Sequence, residues 1–409
     1  MEKQKKTIVV LPGSLWQVPI IKKSREMGYR TLTVNPYENS PAFSCADGYL
    51  QSDIFDIERV VQYCIKEKAA AVISEECDIA MPVIAEIGRR LSLRTLDTKS
   101  ARLFTDKSRM RSFGEKAGIP TPEYQVCKTL EEAECFFNKL QAPAILKPLD
   151  SNSSHGVFKI REKGEIKKYF QEASSFSRRD KAVLMERFIK GTEFTVDGIK
   201  TPKRHFTLAI SEKKHFAHNP NIACQLYFTG SNPQFDYEEL ARQNDWFVNQ
   251  SSLQFALTHA EYKYENGKFY LIEIAARGGG NLISSHIVPF LSGIDNYHYL
   301  LECYLGNVTS PDFTVLEEYK KRSAVLEFFE APEGGGIAER VDGTDFLEQN
   351  PQIVAYKFNF EKGDMLTDAA SDAARVGFYI ACCDNKEQLD ELIRTVHENV
   401  RIICEQEKM

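Results

Sequence analysis

The sequence sets two glutamates on neighbouring strands in a pattern that suits a divalent cation. His259-Ala-Glu261 and Leu271-Ile-Glu273-Ile-Ala-Ala-Arg277 flank Asn266-Gly267, and Asn-Gly between such runs is a hairpin turn. Counting back from the turn pairs Lys263 or Tyr264 with Phe269 or Tyr270, which leaves Glu261 and Glu273 roughly opposite. Facing carboxylates repel unless a cation lies between them, and an oxygen-only pair suits Mg²⁺ with phosphate oxygens completing its shell. The apolar neighbours Leu271, Ile272 and Ile274 argue against a pair merely solvated on an exposed face. Beyond the second glutamate, Arg277 opens Gly278-Gly279-Gly280-Asn281, and His286 follows. Bare backbone there can approach a ligand closely, and a guanidinium suits an oxyanion.

Two lysines point to the anion such a cation would serve. Lys107 starts a helix, and Lys147 lies in the apolar strand Ala144-Ile-Leu-Lys-Pro148, where an ammonium needs an anionic partner to stay charged. The loop Asp150-Ser-Asn-Ser-Ser-His-Gly156-Val157 that follows could fold its amides and hydroxyls over a polyphosphate. Met185-Glu186-Arg187-Phe188-Ile189-Lys-Gly191-Thr-Glu193 is an extended segment with a glycine bend. Its backbone could read an adenine edge, and Glu193 could accept from ribose hydroxyls; both glutamates could equally be exposed edge-strand residues. Glu75 and Glu76 follow a third strand, where parallel sheets place ligand-binding loops; a solvated acidic turn capping the next helix is the competing reading.

The elements around these residues define the fold class. Thr7 to Leu11, Arg30 to Val34 and Ala69 to Ile73 read as strands. Between and after them, Ile20 to Met27, Ile57 to Lys66 and Ile79 to Leu91 read as helices. That alternation implies a doubly wound parallel sheet, and the lone Gly13 turn lacks the full dinucleotide-binding glycine pattern. A helix over Lys107 to Lys116, sealed by Gly118 and Pro120, marks a boundary, and mostly antiparallel strands run from Ala144 to Ile274 around a helix over Lys163 to Glu172. Strands near Ile353 to Phe360 and Val376 to Cys382 and a last helix over Lys386 to Glu405 form a smaller α+β end. Domains are expected at 1–100, 101–309, with a small lobe at about 122–190, and 310–409.

Composition narrows the function classes. With 409 residues, 43% hydrophobic and 27% charged, the chain can bury several cores. A net charge of −6, with no block of one sign, excludes nucleic acid as the main partner. No stretch approaches the ~20 apolar residues that cross a bilayer, and the apolar run after Lys6 stops at Pro12, too short for an export signal. Ten scattered cysteines without C-x-x-C spacing fit free thiols in a reducing cytoplasm.

Taken in order, Lys107, Lys147, the serine-rich loop, Glu186 with Glu193, and Glu261 with Glu273 and Arg277 resemble the nucleotide site of the ATP-grasp superfamily. The resemblance covers nearly the whole chain, with a pre-ATP-grasp βα domain in front. Arg277-Gly-Gly-Gly-Asn281, His286 and Gly293-Ile-Asp295 are most similar to the bacterial L-amino-acid (dipeptide) ligase branch. It implies ATP and Mg²⁺, with Mn²⁺ as the alternative ion, a small-molecule carboxylate and amine as substrates, and homodimers through the first and third domains. By that resemblance Lys107, Lys147 and the loop Ser151 to Val157, including Ser153, Ser154, His155 and Gly156, hold the phosphates. Glu186, Arg187, Phe188 and Ile189 form the adenine hinge, Glu193 takes the ribose, and Glu261 and Glu273 hold the metal. Arg277 steadies the acyl phosphate, while Gly278, Gly279 and Asn281 border the substrate and Glu75 or His286 serves as base. Many ATP-grasp enzymes carry Asn where Ala275 stands, and the acidic-Arg-Asp-Cys-Ser stretch of biotin carboxylases is absent. Alternatives are an ATP-grasp enzyme of another reaction type, such as a purine-pathway ligase, and a non-catalytic ATP-binding regulator.

Overall fold

The computed structural model describes residues 5–150, 156–177 and 181–405. Four strands, β1 (Thr7–Val10), β2 (Arg30–Asn35), β3 (Gly48–Gln51) and β4 (Ala69–Ile73), form a sheet in the order β3-β2-β1-β4. All pairs are parallel. The helices α1 (Val18–Glu26), α2 (Ile57–Lys66) and α3 (Met81–Leu91) pack on it, and β1 is buried at every position, as a strand covered on both faces must be. The carboxyl end of β4 delivers Ser74 to Asp78 to one side of the molecule, the side on which such sheets bind ligands.

Helix α4 (Thr98–Leu103) leads into α5 (Lys107–Ala117). The Asp106 side chain accepts from the Ser108 and Arg109 amides, and Gly118 closes the helix at φ 73°. This capping sets Lys107 and Arg111, one turn apart, on the same helix face. A small sheet follows: β5 (Tyr124–Cys127), β6 (Ala144–Pro148), β7 (Phe158–Ile160) and β8 (Val183–Arg187), in the order β5-β8-β6-β7. Its helices α6 (Leu130–Leu140) and α7 (Lys163–Ser175) bury Ala133, Ile166 and Ala173 against it. Lys147 therefore sits on an interior strand, not an edge.

The largest sheet has eight strands in the order β13-β12-β9-β10-β11-β14-β18-β16. It takes in β9 (Glu193–Lys200), β10 (His205–His215), β11 (Ala223–Phe228), β12 (Ala256–Glu265) and β13 (Lys268–Ala275). Beyond residue 310 it continues with β14 (Ser323–Phe328). Five strands follow β14, the first four being β15 (Gly336–Asp342), β16 (Ile353–Phe358), β17 (Met365–Leu366) and β18 (Gly377–Cys383). Helix α8 (Tyr237–Gln250) packs on one face of the sheet at β9 and β10, and on that face Phe194, Val196, Ala260, Tyr262, Leu271 and Ile274 are buried. Each large apolar side chain buried there contributes roughly 1.5–3 kcal/mol. The opposite face carries the polar residues of the site.

One expected element is corrected. The last helix spans Lys386–Asn399, and Arg401–Glu405 is a strand, β19, paired with β15. Val400, Ile402 and Ile403 are β-branched and favour the extended state, and the free edge of β15 offers them a ladder.

Candidate active site

The register of the large sheet lays out three rows of side chains on its polar face. In the first, Lys213 on β10 faces Glu193 on β9, which faces Lys263 on β12. In the second, Ser211 and Thr195 lead to Glu261, and Glu261 faces Glu273 on β13. In the third, Asp197 faces His259, which faces Ala275. The Lys213 ammonium spans the first two rows, 2.7 Å from Glu193 Oε1 and 2.8 Å from Glu261 Oε1. Burial pushes both carboxyls up, but Lys213 outweighs it, holding Glu261 below and Glu193 well below the ordinary carboxylate value.

Across from these rows, α5 and the small sheet supply the cations. Lys107 Nζ donates to Glu273 Oε1 at 2.7 Å. Lys147 pairs with Glu186 Oε1, and Arg111 Nε donates to Glu186 Oε2 at 2.9 Å. Lys147 and Glu186 expose only 5% and 3% of their side chains. Burial pushes the Lys147 ammonium below its ordinary value against the pull of Glu186. The same burial would raise Glu186, yet Arg111 and Lys147 together hold it low. Lys107, Lys147 and Arg111 are thus each paired with a carboxylate.

The segment Arg187 to Ile189 is tied into the fold by two of its amides and one side chain. The Arg187 and Phe188 amides donate to the Glu123 and Pro143 carbonyls at 2.8 and 2.9 Å. Arg187 Nη1 donates to Glu265 Oε2 at 2.7 Å, and Ile189 is 2% exposed. Lys159 Nζ lies 3.6 Å from the centre of the Phe188 ring. Gly156 is buried at the start of β7's approach, with Val157 half-buried beside it; Ser153, Ser154 and His155 lie outside the described residues.

Arg277 reaches into the first sheet's loop. Its Nε and Nη2 donate to the two oxygens of Asp78 at 3.0 and 2.6 Å, and Nη1 donates to the Gly278 carbonyl at 2.8 Å. Burial would raise the Asp78 carboxyl, but Arg277 holds it below the ordinary value. Gly278 and Gly279 allow the close approach: a Cβ on Gly278 would come within 2.3 Å of Glu75 Oε1, and one on Gly279 within 2.6 Å of Asp197 Oδ1. Asp197 Oδ1 in turn lies 2.9 Å from His259 Nδ1. Asn281 and Leu282 adopt φ 55° and 67°, and the Leu282 amide donates to Glu76 Oε2 at 3.3 Å. His286 is bonded through Nδ1 to Ser285 Oγ at 2.7 Å, and burial pushes its pKa down.

Glu75 holds a different place from that of an open base. It is fully buried, and Oε1 accepts from the Gly278 amide at 3.0 Å, so it braces the glycine loop. Burial, opposed by Ser284 and Arg277, pushes its pKa up to about 7, and Glu76 beside it is also raised. A carboxyl raised in the fold contributes stability fully present below its unfolded value and lost as pH rises through the folded one. Denaturant unfolding of the parent should therefore lose stability between about pH 4.5 and 7, and Glu75→Gln should remove on the order of 3 kcal/mol of that fall. An unchanged slope in the variant would place the titration elsewhere, on Glu76 first.

Sequence reasoning missed four groups. Lys213 sits within Ser211-Glu-Lys-Lys-His215, which reads as a solvated charge run. Arg111 and Asp78 were passed over because their partners are far along the chain, and Asp197 because a lone aspartate in a strand carries no local signal. Lys107 four residues before Arg111 is the one hint that both share a helix face.

The two carboxylates Glu261 and Glu273 supply hard oxygen donors on one face, with Lys213 against the first and Lys107 against the second. Among the described residues no group of three or more His, Cys, Asp or Glu side chains could hold a metal alone. That donor set fits Mg²⁺, which is usually bound through one or two carboxylates with phosphates and water.

A family model described as an ATP-grasp domain matches residues 140–286, and another, L-amino acid ligase C-terminal domain 2, matches residues 327–405. The chain carries an ATP-grasp domain. Its fold is similar to the crystal structure of an L-amino acid ligase from Bacillus licheniformis, with TM-score 0.83, 18% identity, and 99% of this chain and 100% of that chain covered. It is also similar to the biotin carboxylase domain of the Hydrogenobacter thermophilus 2-oxoglutarate carboxylase in complex with MgADP, with TM-score 0.78, 15% identity, and 98% and 91% covered. Among curated relatives, the formate-dependent phosphoribosylglycinamide formyltransferase of Wolinella succinogenes is 27% identical over 45% of this chain and 48% of its own. The chain spans about half the length of the curated relatives it matches first. Among its described residues no helix is long and apolar enough to cross a membrane.

Proposed function

We propose that this ATP-grasp protein is a carboxylate–amine ligase that forms an amide or peptide bond through an acyl phosphate and releases ADP and phosphate, with an amino acid among its substrates. The observation that carries the reading is the pairing of Glu261 with Glu273 on one sheet face, bordered by Lys107 on one side and by Arg277 beyond the strand end. The C-terminal match to the L-amino acid ligase domain supports an amino acid as substrate.

Lys147 and Lys107 take the phosphates, exchanging Glu186 and Glu273 for phosphate oxygens. The Ile189 amide and neighbouring carbonyls meet the adenine, because the Arg187 and Phe188 amides are already used. Glu193 accepts from the ribose. Glu261 and Glu273 would hold Mg²⁺, which when bound would withdraw negative charge from the γ-phosphate. A substrate carboxylate oxygen, held near Arg277, attacks the γ-phosphorus in line, the bond to the β-phosphate oxygen breaks, and ADP leaves. Arg277 then steadies the acyl phosphate while the amine nitrogen attacks the carbonyl carbon, loses one proton, and phosphate departs with the C–O electron pair.

Arg277→Ala tests the assignment. Binding of ATP, measured by calorimetry, should stay within about 3-fold, while amide formation falls by about 10²–10³-fold, the loss seen when one transition-state donor is removed. An equal loss in ATP affinity would move Arg277 to the nucleotide. The names of the curated relatives favour a second reading, a ligase acting on a phosphoribosyl amine with formate. Formate and phosphoribosylglycinamide belong in the same substrate panel.

A further inference from the structure

We propose that Arg111 is a positioning residue that aligns the two carboxylates Glu261 and Glu273 by holding a bulge in β13; the proposal rests on the metal reading above. From the turn, Tyr264 pairs with Phe269, Lys263 with Tyr270 and Tyr262 with Leu271, but Glu261 then pairs with Glu273. Ile272 is the extra residue. Side chains alternate between faces, so without the bulge Glu261 would face Ile272, and Glu273 would face Ala260 on the apolar side. A single inserted residue is what brings the two carboxylates to one face.

An extra residue leaves its backbone outside the ladder, and an unpaired carbonyl near the interior needs a donor. Arg111 Nη2 donates to the Ile272 carbonyl at 2.7 Å. Arg111 is fully buried, and Nε of the same guanidinium holds Glu186, the carboxylate that aims Lys147. One turn earlier on α5, Lys107 reaches Glu273 itself. A single helix face thus fixes the bulge, the second carboxylate and the phosphate lysine. A planar fork can make both bonds at once, whereas an ammonium cannot reproduce that geometry.

Arg111→Lys separates the two arms, because its charge still serves Glu186 while the bond to Ile272 is lost. The expected result has two parts in the full-length protein. Amide exchange at residues 272–275 quickens at least 10-fold. Affinity for Mn²⁺, used as a paramagnetic probe with a non-hydrolysable ATP analogue, falls at least 10-fold, while metal-free analogue binding stays within 3-fold. Parental exchange at 272–275 overturns the proposal, as does a uniform rise in exchange across all sheets, which would mark a general structural role. Glu273→Gln serves as control: if it binds Mn²⁺ as the parent does, the metal reading fails, and the exchange data alone decide the role of Arg111. Should Arg111→Lys not fold, Arg111→Met with Glu186→Gln and Lys147→Met removes the buried triad of charges together and is read by the same exchange, with the same outcomes.

Discussion

Glu273→Gln should lose about 10³-fold of Mg-ATP turnover while the protein stays folded, the scale expected when metal-assisted charge stabilisation is removed. The substitution keeps the size of the side chain and its place opposite Glu261, and takes away one carboxylate charge. Its second effect falls on Lys107, whose side chain is 5% exposed and whose ammonium donates to Glu273 Oε1. The amide oxygen of glutamine still accepts that bond, so thermal unfolding should shift little. Activity and unfolding measured on one preparation separate the two effects. Parental turnover in a folded Glu273→Gln protein would remove Glu273 from the metal.

Lys147→Met should weaken ATP binding by about 10²-fold, since a charge-assisted bond to phosphate contributes on the order of 1.5–3 kcal/mol. Removing one partner of a buried ion pair ordinarily costs about 3–5 kcal/mol, because it strands a charge. Here Arg111 remains on Glu186, so the carboxylate keeps a counter-charge and the loss of stability should fall below that range. Calorimetric titration with ATP, alongside denaturant unfolding, reads both quantities. Unfolding of the variant would mean that Arg111 alone cannot carry Glu186, and unchanged affinity would place Lys147 away from the phosphates.

Much of this site was legible because its residues sit in short local patterns. The Asn266-Gly267 turn gives the hairpin and nearly its register, and Lys147 stands out as a charge in an apolar strand. The bulge was not legible, since Ile272 is an apolar strand residue like Leu271 and Ile274 and nothing local says that it is extra. Lys213 bridges Glu193 and Glu261 only because β10 and β12 both pair with β9, an arrangement of distant segments. Asp78 and Arg277 are 199 residues apart, and three acids in the Glu75-to-Asp78 loop compete for that role on sequence alone. The same non-local cause converts Arg401–Glu405 from the expected end of a helix into a strand, because the edge of β15 lies beyond any local window.

The charge layout divides the candidate site between two sheets. Lys147 and Glu186 are on β6 and β8 of the small sheet, whereas Glu261 and Glu273 are on the large one. On the proposed function, a nucleotide held by Lys147 and by Lys107 with Glu273 would tie the two sheets together through its phosphates, which would help exclude water during the acyl-phosphate stage.

The most direct test of the ligase reading is phosphate release from Mg-ATP against a panel of single amino acids, amino-acid pairs, and formate with phosphoribosylglycinamide, resolving ADP from AMP. The account predicts ADP and phosphate in equal amounts, appearing only when a carboxylate and an amine are both present. AMP with pyrophosphate, or phosphate release indifferent to both substrates, would contradict it.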